Sequence, residues 1–360
     1  MTTIEHRPTE VDHDTVMAFV FRAVGEVGAS LNTAMVVIGD KLGYYRSLAD
    51  HGPTTPAELA ERTGTEVHYA REWLNSQAAG SFVGYDPASG RYTLPPEHAV
   101  ALADEDSPAF LPGLFQTALG SMHDTGEIIE AARTGTGFGW HEHGADVHTG
   151  TERFFRPGYA ANLVDSWLPA LDGVVDKLTE GAEVADVGCG HGASTIVMAN
   201  AFPKSSFLGT DYHAGSIETA RQRAESAGVA DRVRFEVQSA SELPEQGYDL
   251  VALFDALHDM GDPVGAARRI RRAIAEDGTL LLVEPAAGDH VEDNLNPVGR
   301  AFYGFSVLLC TPNSLSQDVG LALGTQAGPA RTKDVCTAAG FSRFRIAAQT
   351  PFNNVYEVRP

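Results

Sequence analysis

The stretch "VADVGCGHGAS", Val184–Ser194, combines a short apolar run, an acid and three glycines at alternate positions. The apolar run is typical of a buried strand, and the residues after the glycines continue in a helical pattern. Gly188, Gly190 and Gly192 let the backbone turn sharply and approach a ligand without Cβ collisions. The N–H groups at the start of the following helix have no partner inside that helix. The stretch therefore predicts a strand, a ligand-binding turn and a helix.

A glycine-rich turn of this kind also occurs in dinucleotide-binding enzymes, and two details argue against that interpretation here. The spacing is D-x-G-x-G-x-G, from Asp186 to Gly192, rather than G-x-G-x-x-G. The next predicted strand, "SFLGTD", ends in Asp211, where a carboxylate can accept hydrogen bonds from both hydroxyls of a ribose. The two details favour a ribose-containing cofactor other than a dinucleotide.

From residue 179 to residue 360, apolar strand patterns alternate with helical ones. Continuous apolar strands that alternate with helices are typical of an α/β domain whose parallel, doubly wound sheet is covered on both faces. The strand candidates read "EVADVG", "SFLGTD", "VRFEVQ", "YDLVALF" and "TLLLVEP". The closing "FRIAAQTPFNNVYEVRP" predicts two more strands joined by a Pro/Asn turn, which would form an antiparallel edge.

The first hundred residues have a different organisation. Residues 1–14 are predicted to be a disordered lead-in and residues 15–105 an α-rich domain. The segment from Met17 to Leu48 is helical in pattern and apolar on more than one face, as helices buried in another subunit often are. A capping box at residues 55–58 opens one helix, a second helix ends at Gly80, and "SFVGYDPASGRYTLP" is typical of a hairpin. Helix, turn, helix and hairpin together predict a winged helix.

A winged helix invites a DNA-binding interpretation, in which the second helix reads the major groove. That helix carries Arg71 against Glu66 and Glu72, and the first hundred residues hold seven Lys or Arg against thirteen Asp or Glu. A groove-reading helix needs side chains aimed at the bases and positive charge to neutralise phosphates. Asn75 and Gln77 alone do not supply this, so we predict a dimerisation or substrate-capping module.

The composition of the 360-residue chain excludes several classes of partner. Its formal net charge of −22 would repel a polyanion. No apolar run is long enough to span a membrane, and the N-terminus has no secretory pattern. Cys189, Cys310 and Cys336 show no C-x-x-C spacing. These features predict a cytoplasmic protein with free thiols and with no metal, membrane or nucleic-acid partner.

On these motifs, residues 183–360 resemble the class I S-adenosylmethionine-dependent methyltransferases. The resemblance implies a Rossmann-like sheet of seven strands whose last strand is antiparallel, with S-adenosyl-L-methionine as the cofactor. With the winged helix in front, the whole chain is similar to the small-molecule O-methyltransferases of plant and bacterial secondary metabolism, and to actinobacterial winged-helix methyltransferases. In such enzymes the N-terminal region forms a homodimer and closes over the substrate pocket of the partner.

The resemblance also implies which residues hold the cofactor. In this family the acid before the glycines holds the amino-acid end, the glycine turn approaches it, and the acid after the second strand binds the ribose. The positions of that part of the site are Asp186, Gly188, Cys189, Gly190, Asp211 and Tyr212. Many members contact the adenine with an Asp near the end of the third strand. Here Ser239 and Ala240 stand in its place, where a hydroxyl or a backbone group could substitute, and Phe254 and Asp255 end the fourth strand.

The segment "FDALHDMGDP", residues 254–263, follows the fourth strand, at the sheet edge where ligands bind in such folds. It is similar to an L-H-D-x-x-D segment of the O-methyltransferases in which the His is the general base, although Met260 replaces the usual Trp. Asp262 precedes a proline and is typical of a helix N-cap, which leaves His258 as the predicted base or substrate-orienting residue. The carboxylates that could orient its ring are those of Asp259, Asp262 and Glu284.

Aromatic residues supply the predicted acceptor pocket. Phe302, Tyr303 and Phe305, in a cap insertion at about residues 286–330, could roof an apolar or aromatic acceptor, and a packing role for at least two of them stays open. Phe155 and Tyr159, in a helical linker and lid region at residues 106–178, could flank the methionyl arm of the cofactor.

The same linker region is predicted to be interrupted by "TGTGFGWHEHGADVHTGTERFF". His141, His143 and His148 in this segment have a spacing that can bind a metal, but the segment is Gly-rich and no fourth ligand is predictable. A substrate-facing lid or a solvated loop is therefore expected.

The sequence thus predicts a homodimeric enzyme that transfers a methyl group from S-adenosyl-L-methionine to a small molecule, at oxygen, with His258 as the general base. Two alternatives stay open. The methyl group could go to nitrogen or carbon, or the chain could be a winged-helix regulator whose methyltransferase-like domain senses a ligand. The sequence does not identify the acceptor.

Overall fold

The computed structural model describes residues 11–360, and its contacts divide the chain into two units. The first unit ends at Asp104 and the second runs Glu105–Pro360. Residues 1–10 of the predicted lead-in lie outside the described residues, and the first helix begins inside the remainder of that lead-in, at His13. Among the described helices, none combines the length and the apolarity needed to cross a membrane.

The first unit has the predicted order of helices and hairpin. Its helices are α1 (His13–Lys41), α2 (Tyr44–His51), α3 (Pro56–Thr63), α4 (Val67–Ala79) and α5 (Pro96–Leu102). Its hairpin consists of the antiparallel strands β1 (Gly84–Asp86) and β2 (Arg91–Thr93). Helices α3 and α4 followed by the hairpin confirm the winged helix.

The start of α3 shows why the sequence folds this way locally. The Thr55 hydroxyl accepts a hydrogen bond from the Glu58 N–H, and the Glu58 carboxylate accepts one from the Thr55 N–H, which is the predicted capping box. Arg91 of the hairpin donates to both oxygens of Glu58 at 2.8 Å. These hydrogen bonds from Arg91 lower the pKa of Glu58 to about 2 and join the hairpin to α3.

Helix α1 leaves most of its apolar surface uncovered within its own unit. Its buried residues all lie in its last turns, from Thr33 onward. Val20, Val24, Val27 and Leu31 recur every three or four residues and are 40 to 64% exposed. Such spacing puts them on one stripe of the helix, as in helices that pack against a partner helix.

The second unit is a three-layer α/β domain. Its helices are α6 (Pro112–His123), α7 (Thr125–Thr134), α8 (Ala145–Asn162), α9 (Val174–Glu180), α10 (Ala193–Ala201), α11 (Ala214–Ser226), α12 (Pro263–Ala273), α13 (Pro297–Phe305), α14 (Thr311–Leu315) and α15 (Gly328–Ala338). Its strands are β3 (Glu183–Val187), β4 (Ser206–Asp211), β5 (Val233–Val237), β6 (Tyr248–Phe254), β7 (Ile274–Pro285), β8 (Arg343–Gln349) and β9 (Asn353–Arg359). Apolar side chains pack against both faces of the sheet, as predicted for a doubly wound fold.

The seven strands form one sheet in the order β5-β4-β3-β6-β7-β9-β8, and only β9 runs antiparallel to its neighbours. This confirms the predicted Rossmann-like, seven-stranded sheet with an antiparallel last strand. The last strand is not at the edge, however, because β9 inserts between β7 and β8. The burial of the strands explains the order: β9 is almost wholly buried, whereas most of β8 is exposed or half-buried and suits an edge.

The strand order reverses between β3 and β6, so the chain leaves these neighbouring strands in opposite directions. In a doubly wound sheet the carboxyl ends of strands at such a switch point border a crevice, which is where ligands bind. The glycine turn after β3 and the segment after β6 both lie there.

The interruption predicted for the region before the sheet is shorter in the structure. Helix α8 begins at Ala145 and includes "ADVHTGTERFF", which was assigned to the interruption. The glycines that weakened the helical pattern have a packing role, because α8 crosses α6 closely. A Cβ on Gly150 would lie 2.6 Å from the Thr117 nitrogen, and one on Gly113 would lie 2.5 Å from the Phe154 nitrogen.

We expect Gly150→Ala to lower the free energy of unfolding by at least about 2 kcal/mol, because the backbone of α6 cannot yield to the added methyl group. Gly158→Ala in the same helix is the matched control. A Cβ there meets nothing within 4 Å, so the higher helix propensity of Ala should leave stability unchanged or raise it by up to about 1 kcal/mol. Urea denaturation of both variants measures the difference, and equal stabilities would contradict the close crossing.

Candidate active site

A cavity of about 880 Å³ lies at the carboxyl ends of the strands. The cavity walls come from the segments that follow β3, β4, β5 and β6, from α8, and from the segment between β7 and α15. Fourteen of the sixteen cofactor, acceptor and base residues predicted from the sequence line this cavity: Phe155, Tyr159, Gly188, Cys189, Gly190, Asp211, Tyr212, Ser239, Ala240, Phe254, Asp255, His258, Phe302 and Phe305. The two exceptions are Asp186, behind the glycine turn, and Tyr303, on another side of its helix.

The glycine turn has the backbone that its sequence requires. Gly188, Gly190 and Gly192 have φ values of 73°, 52° and 76°, in the left-handed region that residues with a Cβ rarely adopt. The Gly190 N–H donates to the Asp211 carboxylate at 3.0 Å and thereby fastens the turn to the end of β4. The turn and the acid after the second strand therefore form one unit at the edge of the cavity.

Asp211 lines the cavity and is held from two sides. Besides the Gly190 N–H, its carboxylate accepts a hydrogen bond from the His213 N–H at 2.8 Å. Burial raises the pKa of Asp211, and the two backbone N–H groups work in the opposite direction by stabilising the charge. Each carboxylate oxygen has a lone pair left over, so the group can still accept hydrogen bonds from a ligand.

Asp186 does not line the cavity, although the resemblance implies a direct cofactor contact. Its carboxylate lies behind the glycine turn and accepts hydrogen bonds from the hydroxyls of Ser194 and Thr195, both at 2.6 Å. Its other oxygen, Oδ1, is buried and has no hydrogen-bond partner among the described residues. Burial raises the pKa of Asp186 to about 6. In this structure the acid therefore holds the start of α10 against the turn.

The segment after β5 supplies a residue that the sequence analysis missed. Ser239 and Ala240 line the cavity, but the Ser239 hydroxyl donates to Glu242 at 2.8 Å and caps a single helical turn. Gln238 also lines the cavity, and its Oε1 is buried without a partner among the described residues. Gln238 directly follows β5 and precedes Ser239, and its side-chain amide can both donate and accept hydrogen bonds.

The residue that directly follows strand β6 has a strained backbone. Asp255 has a φ of 50°, which is uncommon for a residue with a Cβ. Its carboxylate accepts hydrogen bonds from the Asn353 amide at 2.9 Å and from the Tyr159 hydroxyl at 3.5 Å. Burial raises the pKa of Asp255 well above its usual range, with the Glu284 carboxylate adding to the effect. The chain changes direction at Asp255, and the residues after it, Ala256 and His258, line the cavity.

His258 follows on a short helical turn, Leu257–Asp259, and is 4% exposed. Its Nδ1 lies 2.7 Å from a Glu284 oxygen, and its Nε2 lies 3.2 Å from a carboxylate oxygen of Asp259. The other Glu284 oxygen accepts a hydrogen bond from the Leu257 N–H at 3.0 Å. Burial alone would lower the pKa of His258, but the carboxylates of Asp259 and Glu284 raise it well above its usual range. Glu284, at the end of β7, therefore fixes both the turn and the ring.

Asp262 is the N-cap of α12, as predicted. Its side chain accepts a hydrogen bond from the Gly265 N–H at 2.8 Å, and Pro263 occupies the first position of the helix. The carboxylate therefore has a local structural role and does not contact His258.

Cys310 adds a thiol to the surroundings of His258. The donor atoms of His258, Asp259 and Cys310 all lie within 4.8 Å of one another, and within residues 11–360 this is the one His, Cys, Asp and Glu cluster that could hold a metal ion. Burial raises the pKa of the Cys310 thiol to about 12, so it carries a proton at neutral pH. The sequence marked this cysteine only as a free thiol.

One side of the cavity is aromatic. Phe155 and Tyr159 on α8 and Phe302 on α13 line it. Tyr303 does not line the cavity, because the next residue along a helix points about 100° away; Phe305, three residues beyond Phe302, is on the cavity side instead. Trp140 completes this wall and was not identified from the sequence.

The three histidines of the predicted lid have separate surroundings. His143 is buried and its Nδ1 lies 2.6 Å from a carboxylate oxygen of Asp124, whereas the His148 Nε2 lies 2.9 Å from the carbonyl oxygen of Trp140. His141 is exposed. His148 lies on α8 and lines the cavity, so only part of the histidine segment faces a ligand.

Two family comparisons match separate parts of the chain. Residues 178–308 match the family described as a methyltransferase domain, and residues 30–104 match the Rv2258c-like winged HTH domain. The second match agrees with the helices and hairpin of the first unit.

Curated relatives match about a third of the chain. The 27-O-demethylrifamycin SV methyltransferase of Amycolatopsis mediterranei is 36% identical over 131 residues, which are 34% of this chain and 48% of that protein. The trans-aconitate 2-methyltransferase of Variovorax paradoxus is 36% identical over 126 residues, 34% of this chain and 45% of that protein. The chain thus spans about half the length of these relatives.

Solved structures match nearly the full length. The mitomycin 7-O-methyltransferase MmcR has a TM-score of 0.68 at 19% identity, with 96% of this chain and 99% of that chain covered. The human N-acetylserotonin methyltransferase in complex with SAM has a TM-score of 0.68 at 18% identity, with 98% and 99% covered. At such identities the likeness concerns the fold. The chain therefore combines an N-terminal winged helix-turn-helix domain with a methyltransferase domain.

Proposed function

We propose that the protein is an S-adenosyl-L-methionine-dependent methyltransferase that acts on a hydroxyl oxygen of a small molecule. The observation that carries this proposal is the cavity itself. On one side it presents the glycine turn with Asp211, and on another it presents a histidine held by a buried carboxylate, with aromatic side chains around the remaining space. The residues proposed to bind the cofactor and the residue proposed as the base therefore line the same cavity.

The residues present fit the cofactor. The Asp211 carboxylate would accept the two ribose hydroxyls, as the resemblance implies. The Gln238 amide, whose buried Oε1 has no partner among the described residues, would take the adenine contact that the missing Asp makes in other members. The glycine turn leaves open space at Gly190, where a Cβ would meet nothing within 4 Å, so the backbone can approach the ligand.

Charge also favours this cofactor. Asp186, Asp211 and Asp255 are buried carboxyl groups whose pKa values burial raises, which means that each would gain from a nearby positive charge. S-adenosyl-L-methionine carries a sulfonium and an ammonium group. When bound, its sulfonium would supply a methyl group that the acceptor oxygen takes by direct displacement, with S-adenosylhomocysteine as the leaving group.

In the mechanism we propose, His258 removes the proton of the acceptor hydroxyl. Glu284 accepts a hydrogen bond from Nδ1–H, which holds the ring and leaves Nε2 as the atom that takes the proton. Asp259 lies beside Nε2 and stabilises the imidazolium that forms. The aromatic wall excludes water and holds the acceptor in line with the methyl group.

Transfer to nitrogen or carbon is the alternative within the same cavity, and only the acceptor would differ. A DNA-binding regulator is less well supported. Gln77 is fully buried, and its amide contacts Tyr45 and Asn32, while Asn75 accepts a hydrogen bond from Tyr92. The two amide side chains of α4, Asn75 and Gln77, therefore form hydrogen bonds within the first unit.

We also propose a homodimer formed through α1, in the reducing cytoplasm that the three free cysteines favour. The exposed stripe at Val20, Val24, Val27 and Leu31 is apolar, and Phe19 and Phe21 are 59% and 70% exposed beside it. Exposed apolar surface of this extent marks an interaction site. A second copy of the chain offers the same stripe, so two α1 helices can cover each other.

The cofactor site is tested by Asp211→Ala. Loss of both ribose contacts should weaken S-adenosylhomocysteine binding at least about thirtyfold, as two hydrogen bonds to a charged group would. Calorimetry measures the affinity. Asp262→Asn is the control, because Asn also caps helices and this acid has no cofactor role in the proposal. Unchanged affinity in Asp211→Ala would remove the ribose assignment.

The base is tested by His258→Ala, with a panel of small phenols and alcohols as acceptors. Turnover should fall at least about a hundredfold while S-adenosylhomocysteine affinity stays the same. A base must be neutral to accept a proton, so the wild-type rate should rise with pH up to the raised pKa of His258. The variant should lose this rise. An acid limb that persists in the variant would assign it to another group.

The dimer is tested by Phe21→Glu combined with Val24→Glu. Charges on the exposed stripe should convert a dimer to a monomer in light scattering after size exclusion. Tyr69→Glu on a different helix, α4, where the side chain is 77% exposed, should leave the dimer intact. A wild-type monomer at micromolar concentration would rule out the proposal.

A further inference from the structure

Three polar side chains hold the turn that carries His258. They are Asn313 and Ser314 of α14, and Gln317, two residues after that helix. The Asn313 amide donates to the carbonyl oxygen of Asp259 at 3.2 Å, and so does the Gln317 amide, also at 3.2 Å. The Ser314 hydroxyl donates to the carbonyl oxygen of Met260 at 2.8 Å. The backbone after His258 is therefore held by the cap segment, which is the cap insertion at about residues 286–330. The backbone before His258 is held by the sheet, through the hydrogen bond from the Leu257 N–H to Glu284.

Asn313 differs from the other two because it also contacts two distant segments. Its Oδ1 accepts a hydrogen bond from the Trp140 N–H at 2.9 Å and one from the Tyr212 hydroxyl at 3.3 Å. The residue is 4% exposed and lines the cavity. An amide has two donor hydrogens and two acceptor lone pairs, and three of these four are used here.

The three partners of this amide belong to three parts of the site. Tyr212 follows Asp211 on the cofactor side, Trp140 is in the aromatic wall, and Asp259 lies beside His258. A single buried amide thus touches the cofactor side, the acceptor side and the base. Removing it leaves the Trp140 N–H and the Tyr212 hydroxyl without the acceptor that they share, while the carbonyl oxygen of Asp259 keeps only the hydrogen bond from Gln317.

We propose that Asn313 is a positioning residue that holds Asp259 against His258 and Tyr212 against the cofactor side at the same time. The inference rests on the proposed function for the identity of the cofactor and of the base. Reaction rates depend steeply on such placement, since a misplacement of about 1 Å can cost on the order of a hundredfold.

Nothing in the local sequence "CTPNSLSQ" predicts this role. The nearest partner in sequence, Asp259, is 54 residues away, and Trp140 is 173 residues away. The juxtaposition exists only because the cap segment folds back over the carboxyl ends of β4 and β6.

The test is Asn313→Ala with two measurements that need no acceptor. The first is the titration of the His258 ring by NMR in ligand-free protein, assigned by comparison with His258→Asn. The backbone of Asp259 would keep only the Gln317 hydrogen bond, so its carboxylate would be held less closely beside Nε2 and the pKa of His258 should fall by at least about half a pH unit. The second is S-adenosylhomocysteine affinity by calorimetry, which should fall at least about threefold because the Tyr212 hydroxyl loses its acceptor.

Two control variants separate positioning from general destabilisation. Asn296→Ala removes the exposed N-cap of α13 in the same cap segment, where the side chain accepts from the Gly299 N–H at 2.9 Å, and should change neither measurement. Tyr212→Phe removes only one arm of the Asn313 contacts, so it should weaken S-adenosylhomocysteine binding and leave the titration of His258 in place.

An unchanged His258 titration in Asn313→Ala would overturn the proposal, and so would an equal shift in Asn296→Ala. A wild-type protein that binds no S-adenosylhomocysteine would instead contradict the proposed function, because the titration is measured without that ligand and still tests the Asn313 contact.

Discussion

The hydrogen bonds of Glu284 are the interaction on which the arrangement of the site depends. This carboxylate ends β7, is 5% exposed, and binds the Leu257 N–H with one oxygen and the His258 ring with the other. A carboxylate buried at the end of a strand would be costly if it had no partners. Its two partners both lie on the segment that leaves β6. The pairing of β6 with β7 places Glu284 beside this segment, and the sheet thereby determines the position of His258.

The glycine turn and the cap segment build on that arrangement from two sides. On one side, the Gly190 N–H ties the turn after β3 to Asp211 after β4. On the other, Asn313 ties the segment after β6 to Tyr212 and Trp140. The first link joins the ends of two neighbouring strands, and the second joins helix α14 to segments far from it in sequence. The glycines adopt their positive φ values without strain, whereas the φ of 50° at Asp255 is strained and is held by the hydrogen bonds from Asn353 and Tyr159.

The fold was more predictable than the site because it depends on patterns that repeat. Buried strands such as "YDLVALF" are apolar except for Asp249, and the capping boxes, N-caps and glycine turns have short, local signatures. The structure departs from the prediction at β9, which inserts inside the sheet, and at α8, which begins earlier than its glycines suggested. Both departures come from packing between elements distant in sequence, which periodicity does not record.

By itself, the sequence determined the order of helices and strands, the conformation of the glycine turn, the N-cap at Asp262 and the residue types at each strand end. These features follow from contacts within a few residues, so the chain states them directly. Only the tertiary structure decided that Asp186 lies behind the turn, that Phe305 rather than Tyr303 faces the cavity, and that Gln238, Cys310 and Asn313 belong to the site. Those placements depend on which side chains meet across the sheet, and the sequence specifies that only through the packing of the whole domain.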